Sequence, residues 1–152
     1  MVLCMNEEVN SMNALPNGVV TGDILAVSGD HGRAVSGEGG RSFASRGGCA
    51  ISGNRGCSST GDDGYSLSGD NGLSASGARG TSISGVGGAV CAGVGGVLVL
   101  NNVDQYGNSF VVAADIDEDL GPRPNVYYKL DGHTFVLAFS VGDATFDTGE
   151  AA

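Results

Sequence analysis

The stretch that decides the fold runs from Ala26 to Val97 and reads, in eights, AVSGDHGR, AVSGEGGR, SFASRGGC, AISGNRGC, SSTGDDGY, SLSGDNGL, SASGARGT, SISGVGGA and VCAGVGGV. If the columns are numbered one to eight, column seven is glycine in all nine copies, and column four is glycine in all but one, where Ser45 stands. Column three holds only Ser, Ala or Thr. A fixed internal period of this kind is typical of architectures in which similar units stack on one another.

The spacing of the glycines favours short strands over helices. Two glycines in each octad would cost a helix up to ~1 kcal/mol apiece relative to Ala. One strand and one corner cannot close a coil, whereas two octads can, so we predict a rung of sixteen residues. Column two then separates into two ladders. One is branched aliphatic and contains Val35, Ile51, Leu67, Ile83 and Val99; the other is mixed and contains Val27, Phe43, Ser59, Ala75 and Cys91.

The two-octad rung predicts parallel strands in which residue 51 lies beside residue 67, and residue 67 beside residue 83, at a spacing of ~4.8 Å. Columns seven, one and three share one side of the strand because side chains alternate. Their members are small, so we expect a thin interior of Gly, Ala and Ser, with columns eight and two outward. The alternative, column two as an aliphatic core, stays open because the burial of Val and Ile is the larger driving force.

The flanks of the repeat carry different signals. Two hairpins are predicted after Val97, the first around Asn101 to Asn108 and the second around Asp131-Gly132. We interpret them as a cap over the open end of the stack. The predicted organisation is therefore an N-terminal cap or arm at 1–25, an octapeptide-repeat solenoid at 26–100 and a C-terminal antiparallel β-hairpin cap at 101–152. The predicted fold class is all-β, a short parallel β-solenoid.

The charge of the chain argues against nucleic acid and membranes as partners. The formal net charge is −10, and within the octads five acids balance five arginines, so the excess lies in the flanks. Nucleic acid and anionic lipid both require a basic surface. The N-terminus lacks the basic segment of a signal peptide, and no run approaches the length of a membrane span.

No constellation in the sequence predicts chemistry. Asp115, Asp117 and Asp119 have the spacing of a calcium loop, but its glycine comes one place late and the twelfth position is Val126, not Glu. The cysteines Cys4, Cys49, Cys57 and Cys91 show no zinc spacing. His31 and His133 are both expected at exposed turns. We therefore expect no catalytic residue, metal, cofactor or disulfide, and interpret the chain as a non-enzyme.

The run G-x-x-G-x-A-x-S-G resembles the repeats in the β-roll heads of trimeric autotransporter adhesins, which trimerise through flat faces. The octads are more similar still to octapeptide-repeat proteins of bacteriophages and prophages, which also pair the repeats with a short C-terminal β-segment. This resemblance covers most of the chain from Ala26 onward. It implies a solenoid that trimerises through its faces.

The outward aliphatic ladder and this resemblance together predict a bacteriophage structural or accessory protein, such as a virion decoration, tail or spike component. We expect a homotrimer in contact with other virion proteins or a host protein. The predicted interface residues are Val35, Ile51, Leu67, Leu73, Ile83 and Val99, with Ala89 widening the stripe and Tyr65 on the opposite face. The alternatives are an intracellular phage inhibitor of a host defence system, acting by surface mimicry or ligand sequestration in the host cytoplasm, and a fragment of a secreted adhesin.

Overall fold

The structure is a computed structural model that describes residues 19–22 and 24–138. The described residues form an all-β fold, with no helix long and apolar enough to cross a membrane. The strands of the solenoid are β1 (Val19–Gly22), β2 (Leu25–Ser28), β3 (Arg33–Ser36), β4 (Arg41–Ala44), β5 (Cys49–Ile51), β6 (Cys57–Thr60), β7 (Tyr65–Leu67), β8 (Leu73–Ala75), β9 (Thr81–Ser84) and β10 (Ala89–Cys91). They are followed by β11 (Val97–Val103), β12 (Ser109–Asp115), β13 (Tyr128–Asp131) and β14 (Thr134–Leu137).

The strands form two seven-stranded sheets. The front sheet has the order β1-β3-β5-β7-β9-β11-β12, and the back sheet has the order β14-β13-β10-β8-β6-β4-β2. Up to β11, pairing within each sheet is parallel, with Ile51 opposite Leu67 and Leu67 opposite Ile83. The predicted β-solenoid with sixteen residues per rung is therefore confirmed. The stack already includes β1, where Val19 lies opposite Arg33, ahead of the boundary predicted at residue 26.

Each corner is a four-residue turn that runs from column four to column seven. The column-seven amide donates to the column-four carbonyl, as from Gly56 to Gly53 at 3.1 Å. Column six has a positive φ in every corner, between 57° for His31 and 77° for Gly87, which is the requirement of a type II turn at its third residue. Column seven is glycine for a different reason. A Cβ on Gly64 would lie 2.6 Å from the Thr60 Cβ and 2.9 Å from the Gly48 carbonyl oxygen of the rung below.

The interior of the solenoid consists of small side chains from columns one, three and seven. Ala26, Ala34, Ser58 and Ser74 are fully buried, whereas the column-two residues of the front sheet are only partly buried. The prediction of a Gly, Ala and Ser interior with columns eight and two outward is confirmed. An aliphatic core built from column two is thereby excluded, because those side chains lie on the outside of the stack.

Hydroxyl groups in this interior bond to one another across the solenoid. A column-three hydroxyl meets the column-one hydroxyl six residues later, in the pairs Ser36–Ser42 at 2.8 Å, Ser52–Ser58 at 2.9 Å, Ser68–Ser74 at 3.1 Å and Ser76–Ser82 at 2.9 Å. Column-one hydroxyls also donate to a column-two carbonyl of the following strand, as from Ser74 to Ile83 at 2.6 Å. In the described part of the chain, the buried hydroxyls of Ser28, Thr60 and Ser66 have no hydrogen-bond partner.

The C-terminal end carries the two predicted hairpins. In the first, β11 pairs antiparallel with β12 around a turn in which the Asp104 carboxylate accepts from the amides of Tyr106 and Asn108. These hydrogen bonds, led by that of the Asn108 amide, hold the pKa of Asp104 below its usual value. In the second, Asp131 lies opposite Thr134, so Gly132 and His133 are the central residues of the turn, one place later than predicted.

An apolar cluster replaces the serine interior beneath the hairpins. Its buried members are Val90, Ala92, Leu98, Leu100, Ile116 and Tyr128. The Asn125 amide donates to the Ala92 carbonyl at 2.8 Å, which ties the loop between the hairpins to the last corner. The hairpins extend the two sheets but do not cover their edges, because the described sheets end in β12 and β14.

Candidate interaction surface

One feature of the outer surface stands out, a ladder of aliphatic side chains on the front sheet. Register places one branched residue per rung in direct succession. This aliphatic stripe consists of Val35, Ile51, Leu67, Ile83 and Val99. Each of the five is half-buried, because the neighbours above and below cover part of it. Ala113 of β12 continues the stripe opposite Val99 and is exposed.

A second row runs beside the stripe on the same face. It contains the column-eight residues Arg33, Cys49, Tyr65, Thr81 and Val97, which are Cα partners in successive strands. Tyr65 is 57% exposed and projects next to Leu67, two residues along the same strand. Large aromatic side chains on flat surfaces are frequent anchors of protein interfaces. The front face therefore combines the aliphatic stripe with one exposed aromatic ring near its middle.

Two of the predicted positions on this surface are wrong. Leu73 lies in β8 and Ala89 in β10, both on the back sheet, so neither belongs to the stripe. Tyr65 lies in β7 on the front sheet, although we expected it on the opposite face. The reason is that column eight begins a strand, so its side chain shares a face with column two of the next octad. Alternation from Tyr65 to Leu67 was the signal that could have shown this.

The back face carries a less regular ladder and is partly covered at its C-terminal end. Its column-two ladder contains Val27, Phe43, Ser59, Ala75 and Cys91, the residues predicted to be mixed in character. Ala89 and Cys91 are buried there, where β13 pairs with β10. Burial raises the pKa of Cys91 to about 11 and that of Tyr127 to about 12. The two faces of the solenoid thus differ in their column-two ladders, because only the front ladder has a branched aliphatic residue in every rung.

The corners carry most of the charge of the octads, and the charges largely compensate each other. Arg79 binds Asp63 through two hydrogen bonds of 2.8 Å, and Arg55 binds Glu38 at 2.8 Å. The hydrogen bond from Arg79 is the main reason that the pKa of Asp63 lies below its usual value.

Carboxylate and amide oxygens in column five accept hydrogen bonds from backbone amides of the next rung. Asp62 accepts from the Ala78 amide, and Asp70 from the Val86 amide, both at 2.9 Å. The same position in another corner is held by Asn54, which accepts from the Asp70 amide at 2.9 Å. These side chains therefore link successive rungs at the corners.

The residues considered for chemistry lie apart from one another. His133 is exposed and stacks on Phe110 with ring centroids 4.1 Å apart, and His31 is exposed at a corner. In the Asp115 to Asp119 loop, Asp117 accepts from the amides of Asp119 and Leu120 and so stabilises a turn. Among the residues that the structure describes, no group of three or more His, Cys, Asp or Glu is placed to hold a metal ion.

The cysteines differ from the prediction. Cys57 is disulfide-bonded, so the expectation of a chain with no disulfide is wrong. Cys49 and Cys91 are free thiols, and Cys4 lies outside the described residues. Cys49 belongs to the front face beside Tyr65, and Cys91 is buried on the back face.

Two shallow depressions lie away from the front face. One, of about 240 Å³, is lined by Arg41, Arg55, Cys57, Asn71 and Leu73. The other, of about 150 Å³, lies between the corner at Val86 to Gly88 and the second hairpin and is lined in part by Leu100, Asn101 and Lys129. Arg55 in the first depression is paired with Glu38, so its charge is already engaged.

No protein-family model, curated protein or solved structure matches this chain. Its function is therefore inferred from the front face, from the distribution of charge and from the character of the octads.

Proposed function

We propose that this chain is a non-enzymatic structural or accessory protein of a bacteriophage, a virion decoration or a tail or spike component, that assembles as a homotrimer through the front face of its solenoid. The observation that carries the proposal is the aliphatic stripe beside Tyr65 on one face only. The octapeptide resemblance supports the phage setting, and the acidic flanks argue against nucleic acid as the partner.

The energy available from covering the stripe is moderate. Because stacked neighbours already cover much of each side chain, association would gain on the order of 0.5–1 kcal/mol for each of the five stripe residues. Tyr65 would contribute more, since over half of it is exposed. The stripe alone therefore only offsets the lower end of the ~4–15 kcal/mol that association costs, and the net binding free energy of the assembly has to come from Tyr65 and the other exposed residues of the front face. We therefore expect that the loss of one central stripe residue is enough to dissociate the assembly.

A second copy of the chain fits this face better than an unrelated surface does. The stripe repeats once per rung, at the ~4.8 Å spacing of neighbouring strands. Another copy presents side chains at the same spacing, so stripes from neighbouring copies can interdigitate along their whole length. Three identical faces around one axis close the assembly, which leaves no stripe uncovered.

Leu67→Asp tests the assembly, and Ser59→Asp is the matched control. Ser59 occupies the same column on the back sheet, in the octad just before that of Leu67. We expect wild type and Ser59→Asp to have the same mass by light scattering at micromolar concentration, and Leu67→Asp to be smaller with an unchanged circular dichroism spectrum. A monomeric wild type, or equal masses for all three proteins, would refute the front face as the interface.

The protein composition of purified phage particles tests whether the chain is a virion component. A virion component should remain with gradient-purified phage particles and be found there by mass spectrometry in stoichiometric amounts. If the chain is instead found only in the soluble fraction of the host cell, the virion assignment is wrong and the defence-inhibitor hypothesis takes its place.

A further inference from the structure

The last strand of the front sheet has an open edge. β12 is seven residues long, and in the described part of the chain its one strand neighbour is β11. Its sequence, Ser-Phe-Val-Val-Ala-Ala-Asp, contains no Lys, Arg or Pro. Natural edge strands are usually protected by such residues, by bulges or by a covering segment. A long, nearly uncharged edge of this kind is a template for pairing with another strand.

The two sheets end in neighbouring hairpins. Each sheet contains seven strands in the described part of the chain, with β12 as the last of the front sheet and β14 as the last of the back sheet. The hairpins that carry them are in contact, since Asn102 donates to the Gly132 carbonyl at 3.0 Å and Phe110 stacks on His133. The edge of β12 is therefore held in place by the second hairpin.

The sequence of β12 is self-complementary in one antiparallel register. If two copies pair with Val112 opposite Val112, then Val111 lies opposite Ala113, and Ser109 opposite Asp115. The two carboxylates are then at opposite ends of the paired strands, each beside a hydroxyl group. A parallel pair in register would instead bring the two Asp115 carboxylates together, which is destabilising.

This register also joins the front faces. Ser109, Val111, Ala113 and Asp115 all point outward and are exposed, with Val111 61% exposed. Directly opposed residues of an antiparallel pair lie on the same side of the sheet. The apolar surface of one copy, from the stripe through Ala113 and Val111, therefore continues into that of the other.

We propose that the C-terminal end of the solenoid is a second interface, at which β12 pairs antiparallel with β12 of another copy around a twofold axis. The occupant is a second copy because both the register and the charges of β12 match under that symmetry. The pairing itself does not depend on the proposed trimer. Combined with it, the twofold axes pass through the threefold axis, and two trimers join head to head as a hexamer.

Substitutions at the two ends of the edge strand test this interface with matched charge. Ser109→Lys together with Asp115→Lys places Lys opposite Lys across the twofold axis, whereas Ser109→Lys alone places Lys opposite Asp115. Both variants carry charged side chains at the same two exposed positions, which lie outside the aliphatic stripe, so effects on folding and on the front face should be similar. We expect the Lys/Lys variant to lose the edge contact and the Lys/Asp variant to keep it.

The masses of four proteins by native mass spectrometry separate this proposal from the previous one. We expect a hexamer for wild type, a trimer for the Lys/Lys variant, a dimer for Leu67→Asp and a monomer for the combination. A wild-type trimer that the Lys/Lys variant leaves unchanged would overturn the edge interface and leave the front face standing. A wild-type dimer that Leu67→Asp leaves unchanged would overturn the front face as an interface and leave the edge interface standing.

Hydrogen exchange gives a readout that needs no variant. In wild type, the amides of alternate residues of β12 should exchange at least tenfold more slowly at high protein concentration than after dilution. Exchange that is independent of concentration would overturn the pairing. Polydisperse species larger than a hexamer would also overturn it, because they indicate head-to-tail growth.

Discussion

Two serines in the same column of neighbouring rungs should respond in opposite ways to replacement by alanine. Ser66 and Ser82 are Cα partners in β7 and β9, and both are fully buried. Ser82 donates to the Cys91 carbonyl at 2.5 Å and pairs with Ser76 at 2.9 Å, whereas the Ser66 hydroxyl has no partner among the residues that the structure describes. The substitution removes one oxygen in either case. The difference between the two changes in the free energy of unfolding therefore measures what the hydrogen bonds of Ser82 contribute.

The magnitudes follow from the cost of a buried polar group. Ser82→Ala leaves the buried Ser76 hydroxyl without its partner, which should lower the free energy of unfolding by about 1–3 kcal/mol. On folding, the Ser66 hydroxyl gives up its hydrogen bonds to water and gains none from the described residues. Ser66→Ala removes this cost, so the free energy of unfolding should stay constant or rise by about 1 kcal/mol. Urea unfolding followed by both circular dichroism and fluorescence would measure this, and coincident transitions would establish two-state behaviour. Equal destabilisation by both substitutions would refute the view that paired hydroxyls stabilise the interior.

Two further predictions concern the corners and the thiols. Gly64→Ala should lower the free energy of unfolding by about 1–3 kcal/mol or prevent folding, because the added Cβ would meet the Thr60 side chain and a backbone carbonyl. As the control, Gly39→Asn should change the melting temperature little, because Gly39 has a positive φ of 70° and open space around it. At pH 8 the free thiol of Cys49 should react with a thiol reagent in the native protein and that of Cys91 should not, since burial raises the pKa of Cys91 to about 11. Because the unfolded chain loses that proton first, stability should fall as the pH rises from about 9 towards about 11, and a pH series of urea midpoints that stays flat would contradict the assignment.

The rung could be predicted from the sequence because its determinants are local. Glycine in column seven reflects a close approach to the preceding strand and to the corner one rung below, and the aliphatic ladder at period sixteen reflects direct stacking. Alternation placed columns one and three on one side of the strand, and their small side chains favoured that side as the interior. Each of these inferences needs only the neighbours of a residue along the chain or one rung away.

Other features depend on contacts that the repeat does not encode. The error over Leu73 and Tyr65 came from the assignment of column eight to its own octad, although the strand continues across the octad boundary. The pairing of Ser76 with Ser82 depends on which column-three residue faces which column-one residue across the interior. The disulfide of Cys57 gave no signal, because spacing alone does not show which thiols approach one another. The first hairpin extends the front sheet, so β12 becomes its last described strand. The sequence predicts the hairpin but not its place in the sheet.

The distribution of apolar side chains links the interior of this solenoid to its proposed assembly. Through most of the stack, the interior is filled by Ser, Ala and Gly, which bury little apolar surface and are held by hydrogen bonds between hydroxyls and backbone. The five branched aliphatic side chains of the stripe lie outside, on the front face, where stacking covers each one only in part. In the described interior most buried hydroxyls have hydrogen-bond partners, with Ser28, Thr60 and Ser66 as the exceptions, whereas the stripe still leaves apolar surface in water. The apolar surface that the chain can still remove from water lies between copies, at the stripe and beyond Val111, and that is why we place its function in assembly.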